Sequence, residues 1–192
     1  MLQNVIEVDA EMRLASLNSD TAAAIFFDFA AAFPSLAHDF LHEVLRHLNL
    51  PESFCNFVRS LYVGNSCVIA LSGAQARGFS IRAGIRKGCP LSPLLFAVCG
   101  DLRLRRLQRL LPELDLLRAY ADDLAVVSRD LQASLGIFGK VFAEYARVSG
   151  LVLNLRKTVL IPLCDRLPAE LSMLLECACP GWNAAHIRHW AE

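Results

Sequence analysis

The sequence predicts an α+β chain in which a small, mostly antiparallel sheet packs on helices. Three observations predict it. Segments with a 3.6-residue apolar period alternate with short apolar runs, and turn signals join two pairs of those runs as hairpins. The third is composition: 55% of the 192 residues are hydrophobic, enough to fill a sizeable core.

Residues 2–18 carry a helical pattern that Asn18-Ser19-Asp20 closes. The run "AAAIFFD" (22–28) is apolar and bounded by polar residues, which suits a buried strand. Ser35 is placed to cap a helix whose apolar positions Leu36, Phe40, Leu41, Val44, Leu45 and Leu48 repeat until Pro51 stops it. A second helix over 52–63 ends at Gly64-Asn65. Residues 66–71 ("SCVIAL") and 76–82 read as a hairpin around "SGAQ". Ser92-Pro93 supplies a cap and a first-turn proline for a long helix to Leu111, closed by Pro112. Two apolar runs over 115–128 meet at Asp122-Asp123 as a second hairpin. A helix over 131–148 ends at Ser149-Gly150. "LVLN" and "TVLIP" then give two short strands, and 167–177 a last short helix.

The longest uncharged run, Ser60 to Ala76, is interrupted by Gly64-Asn65-Ser66 and Ser72-Gly73, so no membrane span is expected. No basic start precedes an apolar block, so no signal peptide is read. Seven cysteines without regular spacing read as buried thiols in a reducing compartment. The formal net charge is zero but unevenly spread: −5 over residues 1–60, +6 over 61–118 and −1 over 119–192. The basic middle, including Arg86, Lys87, Arg103, Arg105, Arg106 and Arg109, can track a phosphate backbone if its members share a face. A solvated helix face accounts equally well for 103–109.

"AYADDLAVV" (119–127) sets Asp122 and Asp123 side by side among apolar residues, where adjacent carboxylates repel and desolvate poorly. Asp28 ends the strand 22–28. If that strand pairs beside the second hairpin, three carboxylates converge at one sheet edge. An oxygen-only cluster of this kind binds hard cations, Mg²⁺ or Mn²⁺. Two such ions about 3.5–4 Å apart are the working unit of phosphoryl transfer. Two solvated aspartates in a turn are the plainer reading of the pair.

"FFDFAAAF" (26–33), "GIRKGCPLSPLLFA" (84–97), "AYADDLAVV" and "GLVLNLRKT" (150–158) resemble, in order and spacing, the palm motifs of reverse transcriptases, and of the non-LTR (LINE-type) retrotransposon group in particular. The resemblance covers about 20–162. It implies a right-hand polymerase palm that performs RNA-directed DNA synthesis with two Mg²⁺ or Mn²⁺ ions, an RNA template, a DNA primer and a deoxynucleotide (dNTP). It also implies roles for individual residues. Asp28, Asp122 and Asp123 would hold the metals. Phe33 would close against the sugar 2′ carbon, and Gly88, Pro90 and Ser92 would pack against nucleotide and template. Lys157 would protonate the leaving pyrophosphate.

The chain departs from the family pattern at Lys87, where glutamine is usual, and at Ala31 and Pro34, where lysine and aspartate are usual. Position 87 bears on nucleotide selection rather than metal binding. Residues 1–19 are expected as a helical remnant of the finger–palm junction, 20–162 as the palm, and 163–192 as the start of a thumb connection. Fingers, thumb and an endonuclease segment are expected elsewhere in the same polyprotein. The alternative is a truncated or decayed palm that keeps the fold and weak nucleic-acid binding without catalysis. Through the family, the expected location is intracellular and nuclear.

Arg86 and Lys87 lie in a glycine-flanked loop before a helix, a favourable place for phosphate, or are two exposed loop cations. Tyr120, beside the acids, is placed to support a primer end or to join the core. "HDFLH" imitates a zinc-binding histidine pair at His38 and His42, but a solvent-facing helix is the better reading. Cys177, Cys179, His186 and His189 are spaced more tightly than zinc sites usually are. Phe26, Phe27 and Phe29 read as packing.

Overall fold

The structure is a computed structural model that describes residues 2–164 and 171–178. In chain order its elements are α1 (Leu2–Asn18), β1 (Ala23–Phe27), α2 (Ala32–Ser35), α3 (His38–His47), α4 (Glu52–Tyr62), β2 (Ser66–Leu71), β3 (Ala74–Ser80), α5 (Ser92–Leu110), β4 (Leu116–Tyr120), β5 (Asp123–Ser128), α6 (Leu131–Ser149), β6 (Val159–Pro162) and α7 (Leu171–Ala178). One sheet has the order β4-β5-β1-β6 with every pair antiparallel, and β2 and β3 form a separate two-stranded ribbon. No described helix is long and apolar enough to cross a membrane.

The unbroken apolarity of β1 follows from burial on both faces. Ala23, Ile25 and Phe27 face the main core with Leu124 and Val126 of β5 and Phe138 and Phe142 of α6. The Phe27 ring lies 5.2 Å from that of Phe138 and 4.7 Å from that of Phe142. The other face of β1 presents Ala22, Ala24 and half-buried Phe26 to Val8, Met12 and Ala15 of α1. Small alanines there let α1 approach closely, and ion pairs Glu7–Arg118 and Glu11–Arg129 hold it across β4 and β5.

The segment after β1 ties three parts of the chain together by backbone hydrogen bonds. The N–H of Ala30 donates to Val152, that of Ala37 to Ser149, that of His38 to Arg82, and those of Gly84 and Ile85 to Leu36 and Phe33. The approach is close enough to demand glycine. A Cβ at Gly84 would stand 2.7 Å from the Pro34 carbonyl oxygen, and one at Gly150 would stand 2.5 Å from that of Ser35, both at positive φ.

These contacts explain where the structure departs from the sequence reading. Ser35 does not cap a helix: it closes the short α2, and α3 starts at His38 behind an extended Ala37 with no side-chain cap. The His38 N–H, one of the orphans a cap would serve, is instead satisfied by the Arg82 carbonyl. "LVLN" is not a strand. It makes a single bridge, Phe29 to Leu153, between the left-handed Gly150 and a turn at Asn154. The first hairpin turns on Ser72-Gly73 alone, both at positive φ, so its second strand starts at Ala74 rather than at 76. The last helix is described over Leu171–Ala178, and the segment before it lies outside the described residues. Of the described thiols only Cys99 is buried; five others are half-buried or exposed, against the expectation of buried thiols, and Cys179 lies outside the described residues.

Candidate active site

Strand register sets the acids. Phe27 pairs with Leu124 between β1 and β5, so the next step along both strands puts Asp28 opposite Asp123. Tyr120 and Asp123 form the last pair of the β4–β5 hairpin, leaving Ala121-Asp122 as its two-residue turn. Ala121 holds φ at 53°, a left-handed conformation that costs a non-glycine residue about 1–2 kcal/mol.

Asp28, Tyr120, Asp123 and Lys157 line one cavity of about 520 Å³, walled on its far side by Val5, Val8 and Met12 of α1. Lys157 reaches it because the turn that carries it is bonded to β1. The Asn154 N–H donates to the Asp28 carbonyl at 2.8 Å, and the N–H groups of Lys157 and Thr158 donate back to Asn154. The N–H of Asp28 itself donates to the Thr158 hydroxyl at 3.4 Å. Tyr120 is exposed rather than core.

Partial burial, then Asp122, then Asp28 push the Asp123 carboxyl above its ordinary value. The sheet end therefore gathers carboxylates that repel one another, with Lys157 and Arg118 on the same cavity. Asp122 does not line the cavity; its field is felt on the helix side, by the guanidinium of Arg103. Among the described residues no three metal-binding side chains already stand together as a ligand group. The donors are carboxylates only, which suits a hard divalent cation, and the raised Asp123 marks charge that such a cation would relieve.

The remaining sequence candidates lie apart from that cavity. Arg86 is not a free loop cation: its Nη2 donates to the Leu61 carbonyl at 2.7 Å and to Asn65 Oδ1 at 3.3 Å. Lys87 and Pro90 are exposed, and Gly88 at φ 82° faces open space. Ser92 does not cap α5, whose N-cap position is Leu91 without a side-chain cap; as the first helical residue it is buried, and its hydroxyl donates to the Arg86 carbonyl at 2.6 Å, folding the loop onto the start of α5. The Leu91 backbone there draws the Cys89 thiol below its ordinary value, a sign of the positive character of that helix start. Phe33 is half-buried and stacked on Phe96 with centroids 4.5 Å apart.

The basic run of α5 does share a face: Arg103, Arg105, Arg106 and Arg109 line one groove between α5 and α6 with Lys140, but two of its members are paired with acids and one is not solvated. Arg105 pairs with Asp101 and Arg106 with Glu144, while Arg103 is buried. Its guanidinium stands 4.1 Å over the Phe29 ring and 5.3 Å from that of Tyr145. A signal for this burial was present in the sequence: Arg103 is four residues from both Cys99 and Leu107 on the inward face of α5. His38 is likewise not solvent-facing. It is buried, 4.8 Å from the Tyr62 ring, with Nε2 bonded to the Gly84 carbonyl at 2.8 Å. Cys177 is exposed, and Cys179, His186 and His189 lie outside the described residues.

An antiparallel sheet with carboxylates at the end of two central strands and helices behind them is the arrangement of a polymerase palm. The profile of the family described as "Reverse transcriptase (RNA-dependent DNA polymerase)" matches residues 3–167, and the chain belongs to that family. Its curated relatives place it with the non-LTR type. It is 28% identical over 163 residues to the retrovirus-related Pol polyprotein from type-2 retrotransposable element R2DM of Drosophila melanogaster, covering 80% of this chain and 15% of that protein. It is 29% identical over 153 residues to a Pol polyprotein from type-1 retrotransposable element R2 of Popillia japonica, covering 73% of this chain and 21% of that protein. The chain thus spans a minor part of these relatives. Among solved structures, telomerase of Candida tropicalis superposes with a TM-score of 0.66 at 16% identity, covering 82% of this chain and 29% of that one. Telomerase of Candida albicans gives 0.66 at 14% identity, covering 83% and 31%. At these identities the likeness is one of fold.

Proposed function

We propose that this chain is the palm of an RNA-directed DNA polymerase, joining a deoxynucleotide to a primer 3′-hydroxyl on an RNA template. The observation that carries the reading is that Asp28 and Asp123, from adjacent strands, share one cavity with Lys157 while Asp122 occupies the turn between them and Tyr120. Asp28, Asp122 and Asp123 are the residues that would hold two Mg²⁺ or Mn²⁺ ions. When bound, such ions supply neutralisation of the triphosphate and acidify the attacking hydroxyl.

The chain's own groups do the rest. The Lys157 ammonium stands ready to give a proton to the departing pyrophosphate oxygen. Phe33, stiffened by its stack on Phe96, offers a bulky wall that disfavours a 2′-hydroxyl. The loop of Arg86, Lys87, Gly88 and Pro90, clipped to α5 through Ser92, presents a positive helix start to nucleotide and template. Tyr120 supports the primer end. In this reading residues 20–162 are the palm, 1–19 lead in from the fingers, and 163–192 lead towards a thumb. Those segments of the polyprotein complete the grip on RNA and primer, and the work is done on DNA in the nucleus.

The test is primer extension by the chain on matched RNA and DNA templates with Mg²⁺ or Mn²⁺, offering deoxynucleotides and ribonucleotides separately. Deoxynucleotide incorporation on RNA supports the reading. A folded chain that incorporates nothing on either template overturns it in favour of a palm that has kept its fold without catalysis, an outcome that Lys87 at the usual glutamine position favours.

A further inference from the structure

Arg103 is the one residue of the α5 basic run whose burial has no plain explanation. It is 2% exposed, its Nε has no hydrogen-bond partner, and it forms no ion pair among the described residues. An unpaired buried cation is costly, and replacing it by an apolar side chain of similar volume is commonly neutral or stabilising. Position 103 lies between Cys99 and Leu107 on the inward face, where leucine or methionine would fit the pattern. What the guanidinium touches is informative. One face covers Phe29, the residue immediately after Asp28, and Tyr145 of α6 lies nearby, itself fixed by donating its hydroxyl proton to the Cys99 carbonyl at 2.9 Å. The carboxylate whose field bears on it is Asp122, in the turn of the neighbouring hairpin.

Building on the palm reading above, we infer that Arg103 is a positioning residue that braces the two carboxylate-bearing elements against each other, gripping the end of β1 through the Phe29 ring and drawing the Asp122 turn towards the helix layer. Its effect is exerted through Phe29 and Asp122; it touches neither substrate nor metal. A planar cation suits the task because it stacks on an aromatic ring and attracts a carboxylate at the same time. The strained Ala121 beside Asp122 gives the turn something to be held against.

The experiment compares the wild-type chain with Arg103→Met and Arg103→Lys by thermal unfolding, amide hydrogen exchange and Mn²⁺ titration. Arg103→Met is expected to keep or raise Tm, because it removes an unpaired buried charge. At the same time it should speed exchange at the amides of Asp122 and Asp123 without speeding it elsewhere in β1 and β5. Mn²⁺ affinity should fall on the order of tenfold, as for other residues that orient metal ligands. Arg103→Lys, which keeps the charge but not the planar stack on Phe29, should recover only part of both effects.

Three results would overturn the inference. One is unchanged exchange at the turn in Arg103→Met. Another is tighter Mn²⁺ binding, which loss of a repelling charge alone would give. The third is a fall in Tm with faster exchange throughout the sheet, the mark of a packing residue. If the wild-type chain binds no Mn²⁺, the two-metal polymerase reading fails, and exchange at the turn still decides the role of Arg103.

Discussion

β1 of the four-stranded sheet and β2 of the β2–β3 ribbon are both drawn from mostly apolar sequence, and the two regions end in opposite environments. In β1, Ala24 and Ile25 are wholly buried between α1 and the helices behind the sheet. In the ribbon, Leu71 and Phe79 are 76% and 68% exposed, and Val68 and Ile69 are exposed beside them. The difference lies in layers rather than residues. β1 has a strand on each side and helices on both faces, whereas β2 and β3 have only each other, an arrangement of marginal stability alone. The acids sit at the end of the first kind of structure, where neighbours fix every backbone group, and the ribbon leaves an apolar surface open.

The widest gap between the two regions should appear on truncation. Phe27→Ala removes a ring packed on Phe138 and Phe142 and should cost about 3–5 kcal/mol in urea unfolding, whereas Ile69→Thr in the ribbon should stay within about 0.5 kcal/mol. Equal losses would mean that the ribbon is packed as tightly as the sheet. Backbone crowding sharpens the contrast. Gly150→Ala sets a Cβ against the Ser35 carbonyl at positive φ and should lose roughly 2–4 kcal/mol. Gly73→Ala in the ribbon turn meets no atom and should lose only about 1–2 kcal/mol, from its φ alone.

A smaller effect separates the sheet end by charge. Asp123 has a folded pKa above its ordinary value of 3.8, so the folded state binds its proton more tightly than the unfolded state does. Its contribution to stability is therefore present below about pH 3.8 and is lost as pH rises through the higher folded value. Asp123→Asn should raise Tm at pH 7 and lose that advantage as the pH approaches the ordinary value from above. A Tm gain that did not shrink on acidification would contradict the charge account. The smallest effect concerns the turn itself. Ala121→Gly relieves the left-handed alanine and should add about 0.5 kcal/mol, the strain removed less the extra entropy glycine loses.

Much of this was legible in the sequence. The apolar strand ending in Asp28, the hairpin meeting at Asp122-Asp123, the start of α5 at Ser92-Pro93 and the end of α6 at Gly150 all depend on local pattern, and the structure has each of them. What escaped depends on partners distant in the chain. Ser35 lost its capping role because Arg82 and Ser149 serve the amides at the start of α3. His38 went inward because the Gly84 carbonyl offered its ring nitrogen a partner beside Tyr62. "LVLN" was denied a ladder by the turns on either side of it. The cavity that unites Asp28 with Lys157 rests on the Asn154 turn, whose hydrogen bond to β1 spans over a hundred residues and leaves no periodic trace. Arg103 is intermediate: its spacing was visible, and charge alone had argued for the surface.

The central claim is that the rigid end of the sheet, and Asp122 in particular, performs nucleotidyl transfer. The most direct test measures Asp122→Asn for two things in one preparation: Mg²⁺-dependent deoxynucleotide incorporation on an RNA template, and Tm. Incorporation that the wild-type chain supports should vanish in the variant while the chain still folds cooperatively, since Asp122 lies in a turn outside the core. Incorporation that persists at the wild-type rate in a folded Asp122→Asn chain would contradict the assignment of the acids.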